Sequence, residues 1–175
     1  MERGLVHLYW GDGKGKTTCA LGLGLRVCGS GGRTLLVQFL KNNRSSERAA
    51  LVHVPGFESL PGPEQIPFSF QMNQREREEV RRLCADLLKE AETRCADGAY
   101  RLLILDEVCD AVEEQFLTEE QVLRCLAERP ASLEVVLTGH HPSGALQEAA
   151  DYITYFQAQR HPYEKGVPAR QGIEY

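Results

Sequence analysis

Apolar and polar positions along this chain fall into two alternating kinds of block. Short, almost uninterrupted apolar runs recur at residues 5–9 (LVHLY), 34–40 (TLLVQFL), 101–107 (RLLILDE) and 133–138 (LEVVLT), with a weaker one at 152–156. Runs of that length without polar alternation predict strands covered on both faces, as in a parallel sheet. Between them lie stretches with helical spacing. Residues 17–28 are rich in Ala, Leu, Val and Gly, and Gly29 to Gly32 end them. The clearest helix is predicted from about Asn73 to Ala96, where Val80, Leu83, Cys84, Leu87, Leu88, Ala91 and Cys95 form one stripe. Its opening charge run, residues 75–82, mixes signs, contains a Glu78–Arg82 spacing of i,i+4 and predicts a solvated face.

Weaker signals fill the rest. Thr118 with Gln121 makes a capping box for a helix reaching Glu128, and residues 143–150 read as another helix. Residues 41–50 predict a loop and a short helix, and 51–54 (LVHV) a weak strand. The four prolines of 55–67 predict irregular surface, as does the composition of the tail from His161. Strands alternating with helices mean βαβ units, hence an α/β fold with a mostly parallel sheet and helices on both faces. A chain of 175 residues is most simply one domain.

The first strand runs into a glycine-rich turn. Residues 5–18 read LVHLYWGDGKGKTT, a strand, a glycine loop and a helix start in immediate succession. That arrangement is a phosphate cradle: glycines let backbone N–H groups converge on oxygens, and the helix dipole favours anions. The residues assigned to a nucleotide triphosphate are Gly11, Asp12, Gly13, Lys14, Gly15, Lys16, Thr17 and Thr18, with Lys16 as a point charge and Thr17 as a Mg²⁺ ligand. The spacing is irregular. Trp10 stands where the usual pattern has its first glycine, and Gly11 comes one place late, so the loop is shortened.

The third strong strand ends in Asp106-Glu107. Mg²⁺ takes one or two carboxylates, phosphate oxygens and waters, so Asp106 and Glu107 with Thr17 form the expected metal set. Ligands in parallel sheets bind at strand carboxyl ends. The cradle, Asp106-Glu107 and Thr138-Gly139 all lie at such ends and are expected to meet. Phe68 and Phe70 flank Ser69, and alternate spacing puts both rings on one side if the segment is extended.

Composition narrows the classes. A net charge of −5 gives no basic field for nucleic acid or anionic membrane, and no apolar run is long enough to span a bilayer. The first four residues have no signal-peptide shape. Six cysteines without a C-x-x-C pair fit small buried side chains in a reducing cytoplasm. Adjacent His140 and His141 on a turn point apart, which favours a polar loop over a zinc site.

Five strings, taken together, resemble a known family. GDGKGKTT, VQFLK at 37–41, LLILDE at 102–107, Thr138-Gly139 and the ending HPYEKGVPARQGIEY are similar to the P-loop corrinoid (ATP:cob(I)alamin) adenosyltransferases, over residues 5–175. The resemblance implies ATP bound in reversed polarity, its 5′ carbon facing a corrinoid whose Co(I) attacks it while triphosphate leaves. It implies roles for Lys16, Thr17 and Glu107 in that transfer, and for Phe68 and Phe70 in displacing the lower ligand of the corrinoid. It also implies a homodimer and a reduced flavoprotein as electron donor. Some members have Trp where this chain has Phe70, Arg where it has His140, and an extension before the first strand. A P-loop ATPase or kinase of another family, and a non-catalytic nucleotide or corrinoid carrier, are the rival readings.

Overall fold

The computed structural model describes residues 3–43, 45–67 and 69–174. Six strands form one sheet in the order β3-β2-β4-β5-β1-β6: β1 (Val6–Trp10), β2 (Thr34–Gln38), β3 (Phe57–Ser59), β4 (Leu102–Asp106), β5 (Glu134–Gly139) and β6 (Tyr152–Tyr155). Every pairing in it is parallel. Successive side chains of a strand point to opposite faces, so the apolar runs feed two cores at once. Leu8, Leu35, Val37, Leu103, Leu105, Val135 and Leu137 enter one cluster; Tyr9, Leu36, Leu102, Ile104 and Val136 enter the other.

The first cluster is closed by α3 (Gln74–Cys95), α4 (Val108–Glu113), α5 (Glu119–Glu128) and α6 (Gly144–Glu148), which contribute Val80, Leu88, Ala111, Val122 and Leu146. The second is closed by α1 (Lys16–Gly29) and α2 (Ser46–Leu51), through Ala20, Leu21 and Leu51. The stripe read along residues 80–95 is the buried face of α3: Val80, Cys84, Leu87, Leu88, Ala91 and Cys95 are its buried residues. Both Asn73–Glu76 at α3 and Thr118–Gln121 at α5 form reciprocal capping boxes. Four of the cysteines, Cys84, Cys95, Cys109 and Cys125, are buried, and burial pushes each of these thiols up to about 12.

Four expectations are corrected. Residues 51–54 form no strand: Leu51 closes α2, buried at 5% exposure, and a turn follows. The strand lies instead at Phe57–Ser59, inside the stretch expected to be irregular. It pairs in parallel along β2, with Phe57 packed on Gly24 of α1. Edge pairing supplies its ladder, and three residues carry no period for a sequence pattern to register. Helix α4 was not expected at all, for the same reason of length. The opening charge run of α3 is not wholly solvated, since Arg77 lies 4.8 Å over the Phe116 ring and donates to the Glu114 carbonyl at 2.6 Å. The ion pair formed on its exposed side is Arg75–Glu79.

Candidate active site

Because all six strands run the same way, their carboxyl ends share one edge of the sheet. The order β2-β4-β5-β1 then puts Gln38, Asp106, Thr138 and Trp10 side by side as the last or near-last residues of neighbouring strands. Asp106 is the centre. Its carboxylate is fully buried, and one oxygen accepts from the hydroxyls of Thr17 and Thr138, each at 2.8 Å. The other accepts from Lys41 Nζ at 2.8 Å and Gln38 Nε2 at 3.2 Å. A buried carboxylate without such donors would be prohibitively costly, and four donors, from α1, β5, β2 and the segment just after β2, converge on this one side chain.

The cradle begins where β1 ends. Gly11 has φ 117°, a left-handed backbone that disfavours a side chain, and its N–H donates to Gly139 at 3.2 Å. Lys16 Nζ bonds the carbonyls of Gly11 at 2.6 Å and Gly13 at 3.1 Å, so the ammonium sits inside the loop it closes. Burial lowers its pKa, with Asp110, Glu107, Asp12 and Asp106 acting against that shift. Gly15 precedes α1, leaving the first N–H groups of the helix without intrahelical partners. Trp10, in the place of a first glycine, packs against Tyr155 with ring centres 4.6 Å apart.

Lys41 and Glu107 complete the cluster. Lys41 Nζ is 3.3 Å from Glu107 Oε1 and 3.2 Å from Thr17 Oγ1. Burial opposes its charge, but Asp106 and Glu107 outweigh that and raise the pKa well above the ordinary lysine value. Glu107 is pushed up from the usual carboxylate range, by burial first and by Asp106 and Asp110, against the pull of Lys41. It has φ 60°, an uncommon conformation for a non-glycine residue, held by its N–H donating to Thr138 Oγ1 at 2.8 Å.

The expected residues therefore meet in large part. Lys16, Thr17, Asp106 and Glu107 share one site with Thr138. Asp12 faces away from it to accept from the amide of Ala158 at 3.0 Å, and Lys14 Nζ reaches the carbonyl of Ile173 at 2.6 Å. Both bind the tail to the loop. Thr18 is the third residue of α1 and is exposed. His140 and His141 engage separate carboxylates, Asp110 at 2.8 Å and Glu113 at 3.2 Å. Phe68 lies outside the described residues. The premise of an extended segment fails next to it, because Ser69–Gln71 is a 3₁₀ turn. The Phe70 ring is 81% exposed and is no core residue.

Sequence reasoning missed Lys41, Gln38 and Asp110 as members of the site. The signal for the first two was present: a glutamine interrupting an apolar strand and a lysine just beyond its end. Asp110 sits on the unforeseen helix α4.

A six-stranded parallel α/β sheet with a glycine cradle after β1 and a buried aspartate at the end of β4 defines a P-loop NTPase-like protein. A KaiC-like protein from Pyrococcus horikoshii shares this fold at a TM-score of 0.56 and 17% identity, over 92% of this chain and 76% of its own. Sequence carries the assignment further. The model of the ATP:corrinoid adenosyltransferase family (BtuR/CobO/CobP) matches residues 2–175, and the chain belongs to that family. It is 30% identical to the corrinoid adenosyltransferase of Escherichia coli K12, over 99% of this chain and 87% of the relative. The Salmonella typhimurium corrinoid adenosyltransferase CobA is 29% identical over the same shares. A corrinoid adenosyltransferase from Pseudomonas aeruginosa is 30% identical, over 99% of this chain and 85% of its own.

Proposed function

We propose that this chain, acting as a single domain, transfers the 5′-deoxyadenosyl group of ATP to the cobalt of a Co(I) corrinoid and releases triphosphate. The observation that carries the reading is the grouping of Lys16, Thr17, Asp106 and Glu107 at one edge of the sheet. The Co(I) electron pair attacks C5′, the C5′–O bond breaks, and its electrons leave on triphosphate while cobalt becomes Co(III). The substrate brings its own nucleophile. What the protein supplies is alignment and stabilisation of the departing charge.

Each residue then has a task. The loop of residues 11–18 and the start of α1 hold the polyphosphate, through amides other than those of Gly11 and Gly13, which donate to the Gly139 and Phe156 carbonyls. Lys16 exchanges the Gly11 and Gly13 carbonyls for phosphate oxygens. The donor set at Asp106 suits Mg²⁺, because a hydroxyl and two carboxylates converge there with a cation already between them. Thr17, Asp106 and Glu107 would hold the ion, which when bound adds positive charge beside the leaving triphosphate. Phe68 and Phe70 are assigned to the corrinoid; the exposure of Phe70 makes its ring accessible to a large planar ligand.

The same reading extends to partners. We place the protein in the cytoplasm, with a reduced flavoprotein supplying the electron that makes Co(I), and as a homodimer. Edge strand β6 supports the last point: Tyr152, Ile153 and Tyr155 are each about half exposed on it. No helix among the described residues is long and apolar enough to cross a membrane. Anaerobic incubation with ATP, Mg²⁺ and chemically reduced corrinoid tests the reaction. The expected products are triphosphate and adenosylated corrinoid in a one-to-one ratio, seen in the visible spectrum and by anion analysis. Stoichiometric ADP, or brisk phosphate release without corrinoid, would instead assign a phosphotransferase or ATPase.

A further inference from the structure

One side chain in the site has no task in that scheme. Lys41 follows β2 by three residues, and its base is pinned: its N–H donates to the carbonyl of Phe39 at 2.6 Å, and Phe39, buried at 2% exposure, donates its own N–H to the backbone carbonyl of Asp106 at 3.1 Å. From there the side chain crosses to Asp106 at 2.8 Å, Thr17 at 3.2 Å and Glu107 at 3.3 Å. These are the three residues assigned to the metal. The ammonium thus lies among the oxygens that a divalent ion would have to occupy.

We propose that Lys41 is a resident cation of the nucleotide-free site, which competes with free divalent metal for Thr17, Asp106 and Glu107 and yields to metal arriving with nucleotide. The proposal rests on the assignment of those three residues to Mg²⁺. Two cations cannot share the position. A magnesium ion sits about 2.1 Å from each oxygen it binds, and it would then lie within repulsive contact of Nζ. The lysine also takes a lone pair of Thr17 that the metal needs. Without any cation, the buried Asp106 carboxylate and that of the adjoining Glu107 would have no positive charge between them, so the lysine holds the empty site together. Arriving polyphosphate changes the balance. It brings oxygens of its own, and a flexible, strongly hydrated ammonium on a four-carbon stem can turn to them once metal takes its place.

The arrangement makes metal and nucleotide enter as a unit. Free metal in the cell would gain little from the bare protein, and the cradle would stay ready for the complexed nucleotide. Lysine suits this better than arginine, whose rigid fork would grip Asp106 in two places.

The test is metal binding, followed with Mn²⁺ by electron paramagnetic resonance on the full chain. Wild-type protein without nucleotide should bind Mn²⁺ weakly. Lys41→Met, which keeps length and removes charge, should bind it at least tenfold more tightly, and adding Asp106→Asn should abolish the gain. With ATP present, wild type and Lys41→Met should differ much less. Equal Mn²⁺ affinity of the two nucleotide-free proteins would overturn the competition. The underlying metal assignment is read separately: Asp106→Asn alone should weaken Mn²⁺ binding in the presence of ATP, and if it does not, that assignment falls as well. Asp106 keeps Thr17, Thr138 and Gln38 as donors when Lys41 is replaced, and Lys41→Gln gives the same comparison should the Met variant fold poorly.

Discussion

The amide of Gly13 donates to the carbonyl of Phe156 at 2.7 Å, which fastens the phosphate loop to the chain leaving β6. The contact is close on both sides. A Cβ at Gly13 would stand 2.7 Å from the carbonyl carbon and oxygen of Phe156 and 3.0 Å from the carbonyl carbon of Gln157. Backbone, unlike a flexible side-chain tip, has no rotamer by which to give way. The glycine therefore serves the last strand as well as the proposed phosphate site.

Gly13→Ala should consequently lift the loop from residues 156–157. Overpacking of this kind costs about 1–3 kcal/mol. We expect a lower denaturation midpoint together with ATP affinity reduced about tenfold or more, measured by urea titration and calorimetry. Wild-type values for both would show that the loop tolerates displacement.

Lys16→Ala removes a charge whose contacts are Gly11 and Gly13 in the empty loop and, in the proposed complex, phosphate oxygens. A hydrogen bond to a charged group contributes about 1.5–3 kcal/mol. Turnover and ATP affinity should fall by roughly ten- to a hundredfold at that magnitude, with the circular dichroism spectrum unchanged. A variant turning over at the wild-type rate would remove Lys16 from the mechanism.

Phe70 offers a cleaner separation of function from folding. With its ring 81% exposed, Phe70→Ala should alter stability by no more than about 0.5 kcal/mol. Adenosylation starting from Co(II) with a mild reductant should be impaired, and adenosylation of ready-made Co(I) much less so. Equal loss in the two assays would make the ring a general contact surface with no effect on cobalt ligation.

His140 supplies a pH-dependent increment of stability. Its hydrogen bond to Asp110 raises the imidazole pKa above the ordinary value, against the effect of partial burial. The folded state thus holds the proton more tightly than the unfolded chain. The stabilisation is complete below the unfolded value of about 6.5 and is lost as pH rises through the raised one. Thermal melts of wild type and His140→Asn should therefore diverge most in mild acid and converge in alkali. A gap that does not vary with pH would mean that packing alone holds the ring.

The sequence by itself determined the sheet and the machinery carried on its strands. Four long apolar runs, a glycine loop and two capping boxes are local patterns, because burial on both faces, backbone freedom and capping depend on near neighbours in the chain. From them follow the α/β class, the cradle and the pair Asp106-Glu107, and the strings 11–18, 37–41, 102–107, 138–139 and 161–175 pointed to the family. Tertiary structure decided what depends on strand order. That β2 lies beside β4 is what carries Lys41 and Gln38 to Asp106, and that β5 lies between β4 and β1 is what lets Thr138 bridge them. Strand β3 exists because β2 offers it an edge, and α4 because Val108, Cys109 and Ala111 find a core to enter. Such contacts join residues far apart in the chain, and no local pattern records which distant partner a side chain will meet.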